Sequence, residues 1–200
     1  MKQFSWLVAT MLLTFRAIAA ASGSDPVDLF NGTNLDGWVP MNGGHYTATN
    51  GVIHLEGGQG WLRTARAYGD FILTAEWRGL KTNYNSGVFL RAPLAGKPWA
   101  PEIWQVNTKQ TGIGELLAGP KKIIPSPIPP AAPGTWVQFR IEARGTRLSL
   151  DVNGRRTWEF HSLQPGTGYL GLQAEGKAFE FRHLQIVELA PAVGGKPDSD

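Results

Sequence analysis

The chain has no cysteine. That absence excludes disulfides, thiolate metal sites, cysteine nucleophiles and a lipid anchor on an N-terminal cysteine. A membrane-spanning run is missing too. The most apolar segment, Phe4–Phe15, offers about twelve residues where a bilayer needs roughly twenty. No Ser/His/Asp order, phosphate loop or dinucleotide fingerprint appears. Charge of one sign is scarce: 19 basic residues face 16 acidic ones. The pairs Lys121-Lys122 and Arg155-Arg156 are too short to track a phosphate backbone, so no nucleic-acid partner is expected. His45, His54, His161 and His183 are scattered without zinc-motif spacing, so no transition-metal site is expected. Calcium stays open as a cofactor, because loop carbonyls and single acidic side chains bind it without a sequence signature.

What the chain has instead is turn chemistry. Twenty-five Gly and fourteen Pro break it into short segments, which points to β structure. Residues 1–21 read as a signal peptide: Lys2 opens it, Phe4–Phe15 forms its apolar region, and Ala17-Ile18-Ala19 or Ala19-Ala20-Ala21 offers a cleavage site. The expectation is a secreted or periplasmic protein with no membrane partner. Cleavage removes Lys2 and Arg16, which leaves 17 basic residues against 16 acidic ones.

The stretch Tyr68–Arg91 carries the clearest strand signal. Phe71, Leu73, Ala75 and Trp77 share one face, and the Asn83–Gly87 turn leads to an apolar run, Val88–Leu90, closed by Arg91. Parity puts Arg91 on the face of Phe89. Asn50-Gly51 marks a hairpin, and Val137–Phe160 reads as a three-stranded meander turned at Asn153-Gly154. Gly57–Gly60 reads as a loop between two strands, and Gly112–Pro133 as a long irregular segment. A parity change in Ala178–Leu189 predicts a bulge near Arg182-His183. About eleven strands without a helix make an all-β, two-sheet antiparallel jelly-roll sandwich, one domain over residues 25–190 with a disordered tail over 191–200.

Four blocks in order, LFNGTNLDGW, RAYGDFILTAEWR, NSGVFLRA and GLQAEG…FEFRHLQI, resemble the 3-keto-disaccharide hydrolase family, from about Leu29 to Leu189. The resemblance implies a concanavalin A-like jelly roll of the lectin and glucanase type, bacterial export and a small carbohydrate substrate. It also implies cleavage of 3-keto-glycosides by proton abstraction beside the ketone, elimination of the aglycone and hydration. Such chemistry needs a base and a donor to the enolate oxygen. Where the family commonly carries an acidic residue and a histidine after its late GLQ, this chain has Ala174-Glu175. Where the family has Glu-x-Gln, it has Glu102-Ile103-Trp104-Gln105.

The residues themselves offer several candidates. Arg91 is read as an enolate or hydroxyl donor, with a structural ion pair to Glu102 or Glu76 as the alternative. Glu102 is read as a base or a sugar ligand beside Trp104, and Glu115 as a second acid or base. His45 sits in a Gly-Gly loop that suits a catalytic role. Asn83, Tyr84, Asn85 and Gln105 are candidate substrate contacts, and Trp61, Trp99 and Trp104 are candidate stacking platforms. A non-catalytic carbohydrate-binding module on the same fold stays open, as does an interaction role for the Pro120–Pro133 loop. Arg91, Glu102 and a second acid or histidine converging on one pocket would favour the enzyme; a flat Trp-lined face without convergent acids would favour the module.

Overall fold

The computed structural model describes residues 24–94, 103–176 and 178–191. Within them lie fourteen strands and no helix. The first seven are β1 (Val27–Asp28), β2 (Trp38–Met41), β3 (Gly44–Thr49), β4 (Val52–Thr64), β5 (Phe71–Gly79), β6 (Gly87–Ala92) and β7 (Trp104–Asn107). The rest are β8 (Leu116–Ala118), β9 (Lys121–Ile124), β10 (Val137–Arg144), β11 (Arg147–Val152), β12 (Arg155–Phe160), β13 (Tyr169–Glu175) and β14 (Phe179–Glu188).

Period-two alternation decides which side of each strand is buried. In β5 and β10 alternate residues are buried without exception, and the facing pairs Leu73–Ile141 and Ala75–Phe139 put the apolar rows on the same side. The first sheet runs β12-β11-β10-β5-β14, then the first half of β4, then β3; β1 lies beside β14. The second runs β2, the last part of β4, then β13-β6-β7-β8-β9. Every pairing is antiparallel, and one apolar cluster draws residues from both sheets, as a jelly-roll sandwich requires. Trp77 sits within it, stacked on Phe179 at 5.4 Å and edge-on to Phe139 at 5.3 Å.

β4 joins the two layers. Leu55 pairs with β14, while Gln59–Arg63 pair with β13. The Gly57–Gly60 segment, expected as a loop, is therefore the corner at which one strand changes sheets. At Gly58 the backbone has φ +86, and a Cβ would collide with the carbonyl oxygen of Gly43, so only glycine fits.

The Asn50-Gly51 and Asn153-Gly154 turns both have positive φ at each residue, the type I′ signature. The expected bulge lies in β14, where pairing with β5 shifts between Arg182 and Gln185 and His183 has φ 49. A second bulge has no counterpart in the sequence pattern. Between Tyr169–Ala92 and Gly171–Phe89 the partner β6 gains one residue, and Arg91 takes φ 47. Parts of the expected irregular segment pair as strands β8 and β9. The segment expected as a signal peptide, Glu102, Trp99 and the tail from residue 192 lie outside the described residues.

Candidate functional site

The outer face of the second sheet carries a polar cleft. On β7 the side chains alternate: Trp104 packs against the core, Val106 is buried in it, and Gln105 and Asn107 point the other way. On β13, Leu170, Leu172 and Ala174 join the core, which leaves Gln173 and Glu175 on the cleft side. β6 runs between β13 and β7 and contributes Gly87 there. A Cβ on Gly87 would overlap the amide of Gln105, so glycine is what lets that side chain lie across β6. Gln105 Nε2 then donates to Gln173 Oε1 at 2.7 Å.

The relay continues to a carboxylate. Gln173 Nε2 donates to Glu175 Oε2 at 3.1 Å, and Asn85 Nδ2 donates to the same oxygen. Burial pushes the Glu175 carboxyl above its ordinary range, against the opposing charge of Lys109 and the Asn85 hydrogen bond. No arginine is paired with it among the described residues. A carboxyl raised by burial in a cleft, and oriented by two amides, is a better proton acceptor than an ordinary glutamate.

A second arm faces it. Asn107 Nδ2 donates to Glu115 Oε2 at 2.9 Å, and Lys122 Nζ lies 2.5 Å from Glu115 Oε1. Gly112 closes over this carboxylate so tightly that a Cβ there would overlap it. Lys109, Thr111, Leu117, Gly119 and Pro120 complete a cleft of about 330 Å³. That is near the lower end of ligand pockets, roughly 300–1,000 Å³, and suits one sugar ring. Among the described residues no aromatic ring lines it.

Of the expected site residues, Glu115, Asn85 and Gln105 meet in this cleft. The others are placed elsewhere. Arg91 is turned by its bulge to the end of the sandwich, where its side chain is 4% exposed. Its Nη2 donates to Asp70 Oδ1 at 2.8 Å, and its other nitrogens to the carbonyls of Gly69, Gly145 and Gln164. Among the described residues its carboxylate partner is thus Asp70 and not Glu76, and the guanidinium ties four segments together away from the cleft. Tyr84 is a core residue, edge-on to Trp77 and Phe179, with its hydroxyl donating to the Ala131 carbonyl at 3.0 Å. Trp104 packs on Phe160 at 5.2 Å on the core side. Asn83 is an exposed turn residue with φ 56. His45 is exposed on β3 beside Gly58, outside the cleft lining. Trp61 shares the cleft's face of the sheet but is buried against Phe89, with its Nε1 donating to Asn42 at 3.1 Å.

Among the cleft residues absent from the sequence-based candidates are Gln173, Glu175, Asn107, Lys109 and Lys122. The alternation of β13, which runs on to Glu175, puts the first two on one face. Nothing in the chain's pattern pointed to the other three, which depend on the β7–β8–β9 edge folding back.

The family described as 3-keto-alpha-glucoside-1,2-lyase-like domain matches residues 25–187. No curated protein matches the chain. Among solved structures, a candidate glycosyl hydrolase from Parabacteroides distasonis superposes with TM-score 0.67 at 19% identity, over 82% of this chain and 94% of its own. The carbohydrate-binding module CBM66 from Bacillus subtilis gives TM-score 0.63 at 15% identity, over 77% and 95%. The β-glucanase of Bacillus licheniformis gives 0.60 at 12%, over 86% and 100%. At these identities the likeness is one of fold, and the fold is the concanavalin-like jelly roll.

Proposed function

The chain belongs to the 3-keto-alpha-glucoside-1,2-lyase-like domain family, and from that premise we propose that it is an exported enzyme cleaving 3-keto-glycosides, with Glu175 as the base. The single observation that carries the reading is the Glu175 carboxyl, raised by burial and oriented by Asn85 and Gln173.

A ketone at carbon 3 acidifies the proton at carbon 2. Glu175 takes that proton, and the electron pair moves onto the ketone oxygen as an enolate. Lys109, whose charge already acts on Glu175, supplies the positive charge that offsets the enolate. The enolate collapses, the carbon 1–oxygen bond breaks and the aglycone leaves. Water then adds to carbon 1 of the enone while Glu175, whose proton has meanwhile exchanged with solvent, protonates carbon 2. Asn85, Gln105 and Gln173 contribute hydrogen-bonding groups for sugar hydroxyls. This route needs one base, not the two opposed carboxylates of ordinary glycosidases.

The alternative, a carbohydrate-binding module, has less support. Convergent acids occupy the cleft and no aromatic platform among the described residues lines it. Export rests on the N-terminal sequence, with its apolar run before small residues.

The test is aglycone release from a 3-keto-α-glucoside by purified protein, beside the unoxidised glucoside. Release from the keto form alone, lost in Glu175→Gln, supports the proposal. Binding of plain glycans without any keto-sugar turnover overturns it.

A further inference from the structure

Elimination has a second requirement that Glu175 does not meet: an alkoxide leaving group needs a proton. We propose that Lys122 supplies it, as the general acid of the reaction assigned above, with Glu115 and Asn107 as its positioning residues. The inference rests on that reading of the cleft.

The geometry is one of graded order. Glu115 is buried, its side chain 8% exposed, with one oxygen fixed by Asn107 and the carboxylate closed in by Gly112. Asn107 is itself held, since its Oδ1 accepts from the Lys109 backbone N–H at 3.1 Å. The Lys122 ammonium docks on the remaining oxygen at 2.5 Å, yet its side chain is 57% exposed. One end of the pair is rigid, and the other reaches solvent and the cleft mouth. Lys122 lies opposite Leu117 on the edge strand, and both line the cleft. A surface ion pair alone contributes little to stability, ~0–1 kcal/mol. A carboxylate this buried, fixed from two further sides and aimed at one exposed cation, has the form of a support for that cation.

The proton account closes. As the carbon 1–oxygen bond breaks, its electron pair goes to the leaving oxygen, which takes a proton from the Lys122 ammonium. The neutral amine then removes a proton from the water that adds to carbon 1, and the ammonium is restored. Glu115 takes no part in the proton transfers and keeps the Lys122 ammonium at the aglycone side.

Two substrates separate this role from a merely structural one. Methyl 3-keto-α-glucoside has a leaving group that needs a proton; p-nitrophenyl 3-keto-α-glucoside has one that departs without it. In Lys122→Met, kcat/KM for the methyl glycoside falls by about 10²–10⁴-fold, the usual contribution of a general acid, while the nitrophenyl glycoside stays near wild type. Lys122→Arg keeps the ion pair and the KM but loses kcat on the methyl glycoside, since guanidinium does not yield its proton. Glu115→Gln shifts the two substrates in the same unequal way. Equal losses on both substrates, or none on either, overturn the role while leaving the base intact. A wild type inert on both overturns the function itself, and the role with it.

Discussion

Glu175 owes its character to what surrounds it. Glu159 and Glu188 are held below the ordinary carboxylate range, each chiefly by an arginine hydrogen bond, from Arg147 and Arg66. At Glu76 burial pushes upward, but Arg182 and His183 outweigh it. At Glu175 amides replace the arginine and burial prevails. Activity and stability then respond to pH in opposite directions. The base must be ionised, so kcat/KM falls as pH drops through a value above the ordinary glutamate figure of about 4.3. Stability has the opposite slope: with a folded-state pKa above the unfolded one, the contribution is full below the unfolded pKa and is lost as pH rises through the folded value. Glu175→Gln keeps an acceptor for Asn85 and Gln173 and removes that loss. Its melting temperature should therefore exceed wild type at pH 7, and the gain should vanish near pH 3, while activity falls by about 10²–10⁴-fold. Calorimetry at the two pH values checks this; a lower melting temperature at pH 7 would contradict it. Arg91 is the converse case. Its buried guanidinium joins Asp70 and three carbonyls, so Arg91→Met should cost about 3–5 kcal/mol in urea unfolding while activity per folded molecule is retained.

Strands were legible where nothing interrupts their period. β5, β10, β11 and β12, both Asn-Gly turns and the β14 bulge follow from alternation and turn residues alone. Sites were less legible, because parity fails at a bulge. Counting by twos puts Arg91 with Phe89, but the extra residue in β6 and the left-handed Arg91 backbone send the side chain to the sandwich end. β7 illustrates a different limit. Period two separates Trp104 from Gln105 but does not say which face is core, and Phe160 from the other sheet decides it. β8 and β9 are three and four residues long, too short for a period, and exist because β7 offers β8 an edge and β8 offers one to β9. The element most exposed to test is β6. Gly87→Ala keeps the strand but forces Gln105 off Gln173, so the relay to Glu175 breaks. Overpacking of this kind should cost about 1–3 kcal/mol, and kcat/KM should fall further than the folded fraction does. Equal declines in activity and folded fraction would remove the relay from the account.

At the scale of the molecule, β4 shares its thirteen residues between the two sheets, and the second sheet presents its outer face as the cleft. The fold was legible because four sequence blocks and the strand count agreed; the proposed base was not, because Glu175 stands where the related family commonly carries another residue type. Export makes a separate prediction: N-terminal sequencing of mature protein from the periplasm or medium should start at Ala20 or Ser22, just after either small-residue cleavage site. Retention of Lys2 in that fraction would contradict it. The central claim is proton abstraction at carbon 2, and turnover of a 3-keto-α-glucoside in D₂O measures it most directly. The account predicts that the 3-keto-glucose released by wild type carries deuterium at carbon 2, and that Glu175→Gln releases neither sugar nor aglycone. Release without deuterium at carbon 2, or equal release from the unoxidised glucoside, would contradict it.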